Sequence, residues 1–103
     1  MDAARQGLSD AIDLEADNLV AFLSRFTATP SPNPPGDTRA ACAVLTGALD
    51  AAGLAYEVIA PHPEMPNIVA SFEGGAGPGP HLVLNGHIDV FPVEDPSVWS
   101  RDP

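Results

Sequence analysis

Over residues 9 to about 27 the apolar positions Ile12, Ala16, Leu19, Val20, Leu23 and Phe26 recur every three or four residues, which puts them on one face and predicts a helix. Ser9 is placed to cap its first turn. Asp10 and Asp13 sit where the helix dipole favours negative charge, and Arg25 sits at the opposite end. Pro30, Pro32, Pro34 and Pro35 forbid continuation, so residues 28–36 read as a stiff connector pushed toward extended conformations. A second helix is predicted from the N-cap Asp37 to about Ala52, with Ala41, Val44, Leu45, Ala48 and Leu49 on its apolar side and Gly53 as its stop. After Gly53 the period becomes alternating. Leu54, Tyr56 and Val58 share one face of a strand ending near Pro61, and Ile68, Ala70 and Phe72 mark another. Residues 73–80 hold four Gly and two Pro and read as the exposed loop of a hairpin between neighbouring strands. Leu82, Val83 and Leu84 then predict a central strand buried on both faces, and everything after His87 is turn-like. The expected architecture is therefore α/β, in the order ααβββ, with helices packed on a mixed sheet whose edges need cover.

Composition narrows the possibilities. The 103 residues make one modest domain at most, and 45% of them are apolar, enough for a core and unlike a disordered acidic chain. Acidic residues outnumber basic ones 14 to 4, and all four basic residues are Arg. The net charge of −10 repels a phosphate backbone, so no nucleic-acid partner is expected. The longest apolar runs span a few residues against the roughly 20 needed to cross a bilayer, so no membrane partner is expected either. The first residues have neither a basic region nor a following apolar stretch of the secretory kind, and a cytoplasmic location is the expectation. The single cysteine, Cys42, forms no internal disulfide or Cys-rich zinc site and reads as a small buried hydrophobe within the second helix.

The candidate chemistry is concentrated where the third strand runs into Asn85-Gly86-His87-Ile88-Asp89-Val90. If the backbone stays extended, residues 87 and 89 point the same way, because side chains alternate along a strand. A neutral imidazole is a good zinc ligand through one nitrogen, and a carboxylate accepting from the other N–H would set its tautomer and orientation. The same spacing also suits a satisfied histidine in a hydrogen-bonded turn. A metal site needs three or four protein ligands, and no second ligand cluster accompanies this one. His62, between two prolines, reads as a solvated loop residue, and His81 as an edge residue. Glu94 and Asp95 read as loop surface, and Trp99 as a packing anchor for the loop that follows. The connector of residues 28–36 is sufficiently explained as a rigid link between helices. The Gly-rich stretch lacks a Lys or Ser/Thr at phosphate-cradle spacing and is not a P-loop.

The run from Leu82 to Pro92, Leu-Val-Leu-Asn-Gly-His-Ile-Asp-Val-Phe-Pro, with Trp99-Ser-Arg-Asp-Pro103 after it, resembles the first metal-site motif of the M20 metallopeptidase and amidohydrolase family. That family includes acetylornithine deacetylase, succinyl-diaminopimelate desuccinylase, aminoacylase and carboxypeptidase G. The connector Thr29-Pro-Ser-Pro-Asn-Pro-Pro-Gly-Asp37 resembles the family's loop between its first two helices, and Pro66-Asn-Ile-Val-Ala70 resembles its second strand. Nearly the whole chain is covered, in order.

The resemblance implies the amino-terminal portion of a layered zinc-peptidase-like catalytic domain over residues 1–103, with His87 as a zinc ligand and Asp89 as the acidic catalytic residue that orients it. It implies two zinc ions in the complete enzyme, with cobalt as a substitute, and a small N-acyl amino acid or peptide as substrate. The remaining ligands, a glutamate general base and a lid or dimerisation domain would lie further along a chain that forms a homodimer. Two metal ions polarise the amide carbonyl and supply hydroxide at neutral pH while the glutamate moves the proton to the leaving amine. One His and one Asp do none of this, so residues 1–103 alone are expected to be inactive. The contrasting expectation is a non-catalytic α/β remnant or binding module that pairs with a partner through its open sheet edge.

Overall fold

In the computed structural model, which describes residues 2–103, the chain forms three helices and one strand pair. Helix α1 spans Ala3–Leu14, α2 Ala16–Thr27 and α3 Arg39–Ala51; β1 is Tyr56–Ile59, β2 is Asn67–Ala70, and a single 3-10 turn follows at Pro96–Val98.

The helix expected from Ser9 starts earlier and is divided. Asp2, not Ser9, is the cap: its Oδ1 accepts the Arg5 backbone N–H at 2.9 Å. The division falls at Glu15 (φ −95°, ψ 2°), whose N–H is shared between the carbonyls of Ala11 and Ile12, so the last turn of α1 tightens and α2 begins at Ala16. In α2 the half-buried residues are Phe22 and Phe26, stacked with ring centroids 6.1 Å apart, and the Arg25 guanidinium lies 5.7 Å from the Phe22 ring centre. Leu19, Val20 and Leu23, expected on the packed face, stay exposed.

Helix α3 follows its sequence pattern closely. Ala41 and Cys42 are buried, and Val44, Leu45, Ala48 and Leu49 are half-buried. Thr38 is the cap residue, while Asp37 accepts the Arg39 backbone N–H at 3.2 Å just before the first turn. Gly53 ends the helix with φ +66°: its N–H reaches the Asp50 carbonyl and that of Leu54 reaches Leu49, the reciprocal pair of bonds that closes a helix through a left-handed residue.

Strands β1 and β2 pair antiparallel, with Tyr56 opposite Ala70 and Val58 opposite Ile68. The hairpin connection is therefore residues 60–66, not the Gly-rich stretch. The Thr38 N–H donates to the Glu64 carbonyl at 2.9 Å and Cys42 Sγ to the Pro66 carbonyl at 3.4 Å, which ties this connection to the start of α3. Phe72 lies beyond β2 and is exposed.

Among the described residues the expected third strand is absent, and so is the mixed sheet: the sheet has two antiparallel strands. Leu82, Val83 and Leu84 are 78%, 74% and 86% exposed, with no ladder partner. A central strand exists only between two neighbours, and an apolar run states a demand for burial without providing the partner that meets it. The α/β character survives with the elements as ααα followed by ββ.

Candidate functional site

The segment carrying His87 and Asp89 is held by the proline-rich connector between α2 and α3. Val90 forms a parallel bridge with Pro32: the Val90 N–H donates to the Ser31 carbonyl at 3.0 Å, and the Asn33 N–H donates to the Val90 carbonyl at 2.8 Å. Proline suits the middle of this bridge because both bonds use the flanking residues, so its missing N–H is not needed. The Ser31 hydroxyl, buried, adds a bond to the Ile88 carbonyl at 2.9 Å. At the connector's far end Gly36 is buried with φ +89°, a conformation open to glycine, and its missing Cβ would stand 2.9 Å from Met65 Cε.

Within this frame His87 Nδ1 lies 2.7 Å from the Asp89 backbone carbonyl oxygen and 3.3 Å from Asp89 Oδ1. A carbonyl oxygen accepts and never donates, so this arrangement calls for the proton on Nδ1 and leaves the Nε2 lone pair free. The histidine side chain is 82% exposed and that of Asp89 39%. The expected pairing of residues 87 and 89 is present, with the main acceptor being the peptide carbonyl and the carboxylate standing beside it. The other carboxylate oxygen, Oδ2, accepts from Asn33 Nδ2 at 2.9 Å. That amide is the chief reason the Asp89 carboxyl titrates below the usual carboxylate range; partial burial opposes the shift, and His87 adds to it. Asn33, His87, Asp89, Val90 and Phe91 line a shallow open hollow of ≈ 200 Å³.

These residues fit one corner of a zinc site. The free Nε2 with its opposite nitrogen held by an oxygen is the usual preparation of a ligating imidazole. Among the described residues no group of three or more His, Cys, Asp or Glu side chains is gathered, so these residues do not by themselves form a full zinc ligand set. His62 and His81 are exposed, as is Glu94. Asp95 caps the 3-10 turn, accepting from Ser97, which draws its pKa down. Cys42 is buried and its thiol is pushed up by that burial. Trp99 remains 54% exposed, against the packing role expected of it. Sequence reasoning gave the connector a structural role alone and missed Ser31 and Asn33, which contact residues more than fifty positions away. One signal was present: between Pro32 and Pro35, Asn33 is the only residue with a backbone N–H to give.

Comparison with known proteins finds distant relatives among hydrolases. The chain is 30% identical over 94 residues, 89% of its length, to an N-formyl-4-amino-5-aminomethyl-2-methylpyrimidine deformylase of Halalkalibacterium halodurans, covering 22% of that protein. It is 25% identical over 105 aligned positions spanning all of the chain to the enzyme of the same name from Bacillus subtilis, covering 25% of it. It is 38% identical over 64 residues, 61% of the chain, to a succinyl-diaminopimelate desuccinylase of Methylobacterium sp. strain 4-46, covering 16% of it. The chain thus spans about a quarter or less of the length of these relatives. No family model matches, and no solved structure matches. No helix among the described residues is long and apolar enough to cross a membrane.

Proposed function

We propose that this chain is the amino-terminal part of a metal-dependent hydrolase that cleaves amide bonds in small N-acyl amines, N-acyl amino acids or short peptides, with His87 as a zinc ligand and Asp89 as its orienting residue. The single observation that carries the reading is the state of the imidazole: Nδ1 is pinned by Asp89 and Nε2 is free. The relatives named as a deformylase and a desuccinylase lend support, since both names describe removal of an acyl group. Zinc, when bound, would polarise an amide carbonyl and lower the pKa of a bound water.

The chain's own residues would serve that chemistry in three ways. His87, which lines the open hollow, would offer its Nε2 lone pair to the metal. Asp89 keeps the proton on Nδ1 through its carbonyl and adds negative charge beside the ring, which raises the basicity of the ligating nitrogen. The connector ties the short segment 88–90 in place, so the imidazole stands on a fixed backbone. The other ligands and the group that moves the proton are assigned to the rest of the enzyme.

The test is an assay of the longer protein that contains these residues, against N-formyl, N-acetyl and N-succinyl amines. The expected result is hydrolysis that a chelator abolishes and zinc or cobalt restores. His87→Ala should lower kcat/KM at least about a hundredfold, and Asp89→Asn about ten- to a hundredfold, the usual range for a ligand's orienting partner. Hydrolysis that survives both chelation and His87→Ala would overturn the proposal.

A further inference from the structure

We propose that Asn33, in the proline-rich connector, is the positioning residue of the His87–Asp89 pair. Its side-chain amide holds the Asp89 carboxylate beside the imidazole, while its backbone N–H helps hold the peptide that carries both residues. Asn33 Nδ2 anchors Asp89 Oδ2 at 2.9 Å, and Oδ1 is then left 3.3 Å from His87 Nδ1. A carboxylate attached through two rotatable bonds has several rotamers, and tying one oxygen selects among them. The Asn33 backbone N–H donates at 2.8 Å to the Val90 carbonyl, next in sequence to Asp89. Pro32, Pro34 and Pro35 have no N–H, so Asn33 is the one residue of this run able to donate from both backbone and side chain. Both donations converge on two consecutive residues, Asp89 and Val90. A connector needed only to join α2 to α3 would have no use for a side-chain donor aimed at a carboxylate that itself faces a histidine. The inference rests on the proposed ligand role of His87 only for what the pair is for; the positioning itself is a property of this chain.

The experiment reads the His87 tautomer by long-range proton–nitrogen NMR on the labelled, metal-free longer protein that contains these residues, at about pH 8, where an ordinary imidazole is neutral. Hydrogen exchange of the Val90 amide, bonded to Ser31, is followed in parallel as the measure of the intact connector. Nδ1–H should predominate in the parent sequence. Asn33→Ala and the similarly sized Asn33→Leu both remove the side-chain donor and keep the backbone N–H. Each should lower the ratio of Nδ1–H to Nε2–H by about threefold or more, the scale of one net hydrogen bond, while Val90 stays protected. The variant whose Val90 amide stays protected decides. An unchanged ratio there would overturn the positioning role and leave the ligand role of His87 standing. Loss of Val90 protection in both variants would overturn it as well, by making Asn33 a structural residue. A parent chain with Nε2–H predominant would sink both claims. Added zinc separates the two readings further: a parent ring held as Nδ1–H but insensitive to zinc would remove the ligand role alone.

Discussion

Asp37 and Arg39, two residues apart, close a two-point ion pair, with Oδ2 2.6 Å from Nη2 and Oδ1 3.0 Å from Nε. The pair holds the Asp37 carboxyl down to about 2 from an ordinary 3.8. A lowered folded pKa means that the pair's contribution is fully present above the unfolded value and is lost as the pH falls through the folded one. A carbon-detected titration of Asp37 should have its midpoint near 2, and Arg39→Met should return it toward 3.8. An Asp37 midpoint unmoved by Arg39→Met would contradict this cause. Both side chains are largely exposed, so added salt should weaken the pair. Sequence alone placed Asp37 at the entrance of its helix correctly but gave it the cap. The pairing of His87 with Asp89 was legible from their spacing. The partner Asn33 was not, because a contact across 56 positions has no periodicity to betray it.

At the scale of elements, α3 offers two glycines with opposite expected behaviour. Gly47 lies inside the helix, with open space where a Cβ would project, so Gly47→Ala should stabilise α3 by about 1 kcal/mol through lost backbone freedom in the unfolded chain. Gly53 sits at φ +66°, where an L side chain costs about 1–2 kcal/mol. Gly53→Ala should therefore speed exchange of the Leu54 amide, which is bonded to Leu49, by about five- to thirtyfold. Equal effects of the two substitutions would contradict the assigned backbone geometry. This helix was legible because its apolar period, entry and stop all agree. The first helical segment was less so: the division at Glu15 lies in a stretch that continues to favour helix, and one residue's dihedrals decide it. The hairpin was misplaced because residues 60–66 turn without a glycine, while the Gly-rich stretch advertised a turn more strongly.

Across the whole molecule the surface is large for the mass. The accessible area is 8602 Å², against about 5,500 Å² expected for a compact monomer of 10.6 kDa. The radius of gyration, 16.9 Å, likewise exceeds the roughly 13 Å expected for this length. Leu8, Ile12, Leu19, Leu23, Phe72 and the run from Leu82 to Leu84 all lie on that surface. The isolated chain should bind an apolar dye strongly and melt without a sharp calorimetric transition. A cooperative melt with no dye binding would contradict this. With no group of three metal-binding side chains gathered among the described residues, the isolated chain should also show no amide hydrolysis above background when zinc is added; zinc-dependent turnover lost in His87→Ala would refute that.

What the sequence determined by itself is what local chemistry decides. The proline breaks, the glycine stop of α3, the two short strands and the neighbourhood of His87 and Asp89 each follow from residues within a few positions of one another. What only the tertiary structure decided is which distant segments meet. The connector reads as a plain link until Ser31 and Asn33 are seen bonded to residues 88–90, and Leu82–Leu84 read as a buried strand until no neighbour is found beside them. Hydrogen bonds and burial between remote segments depend on where the chain returns, and hydrophobic pattern records the need for a partner without naming it.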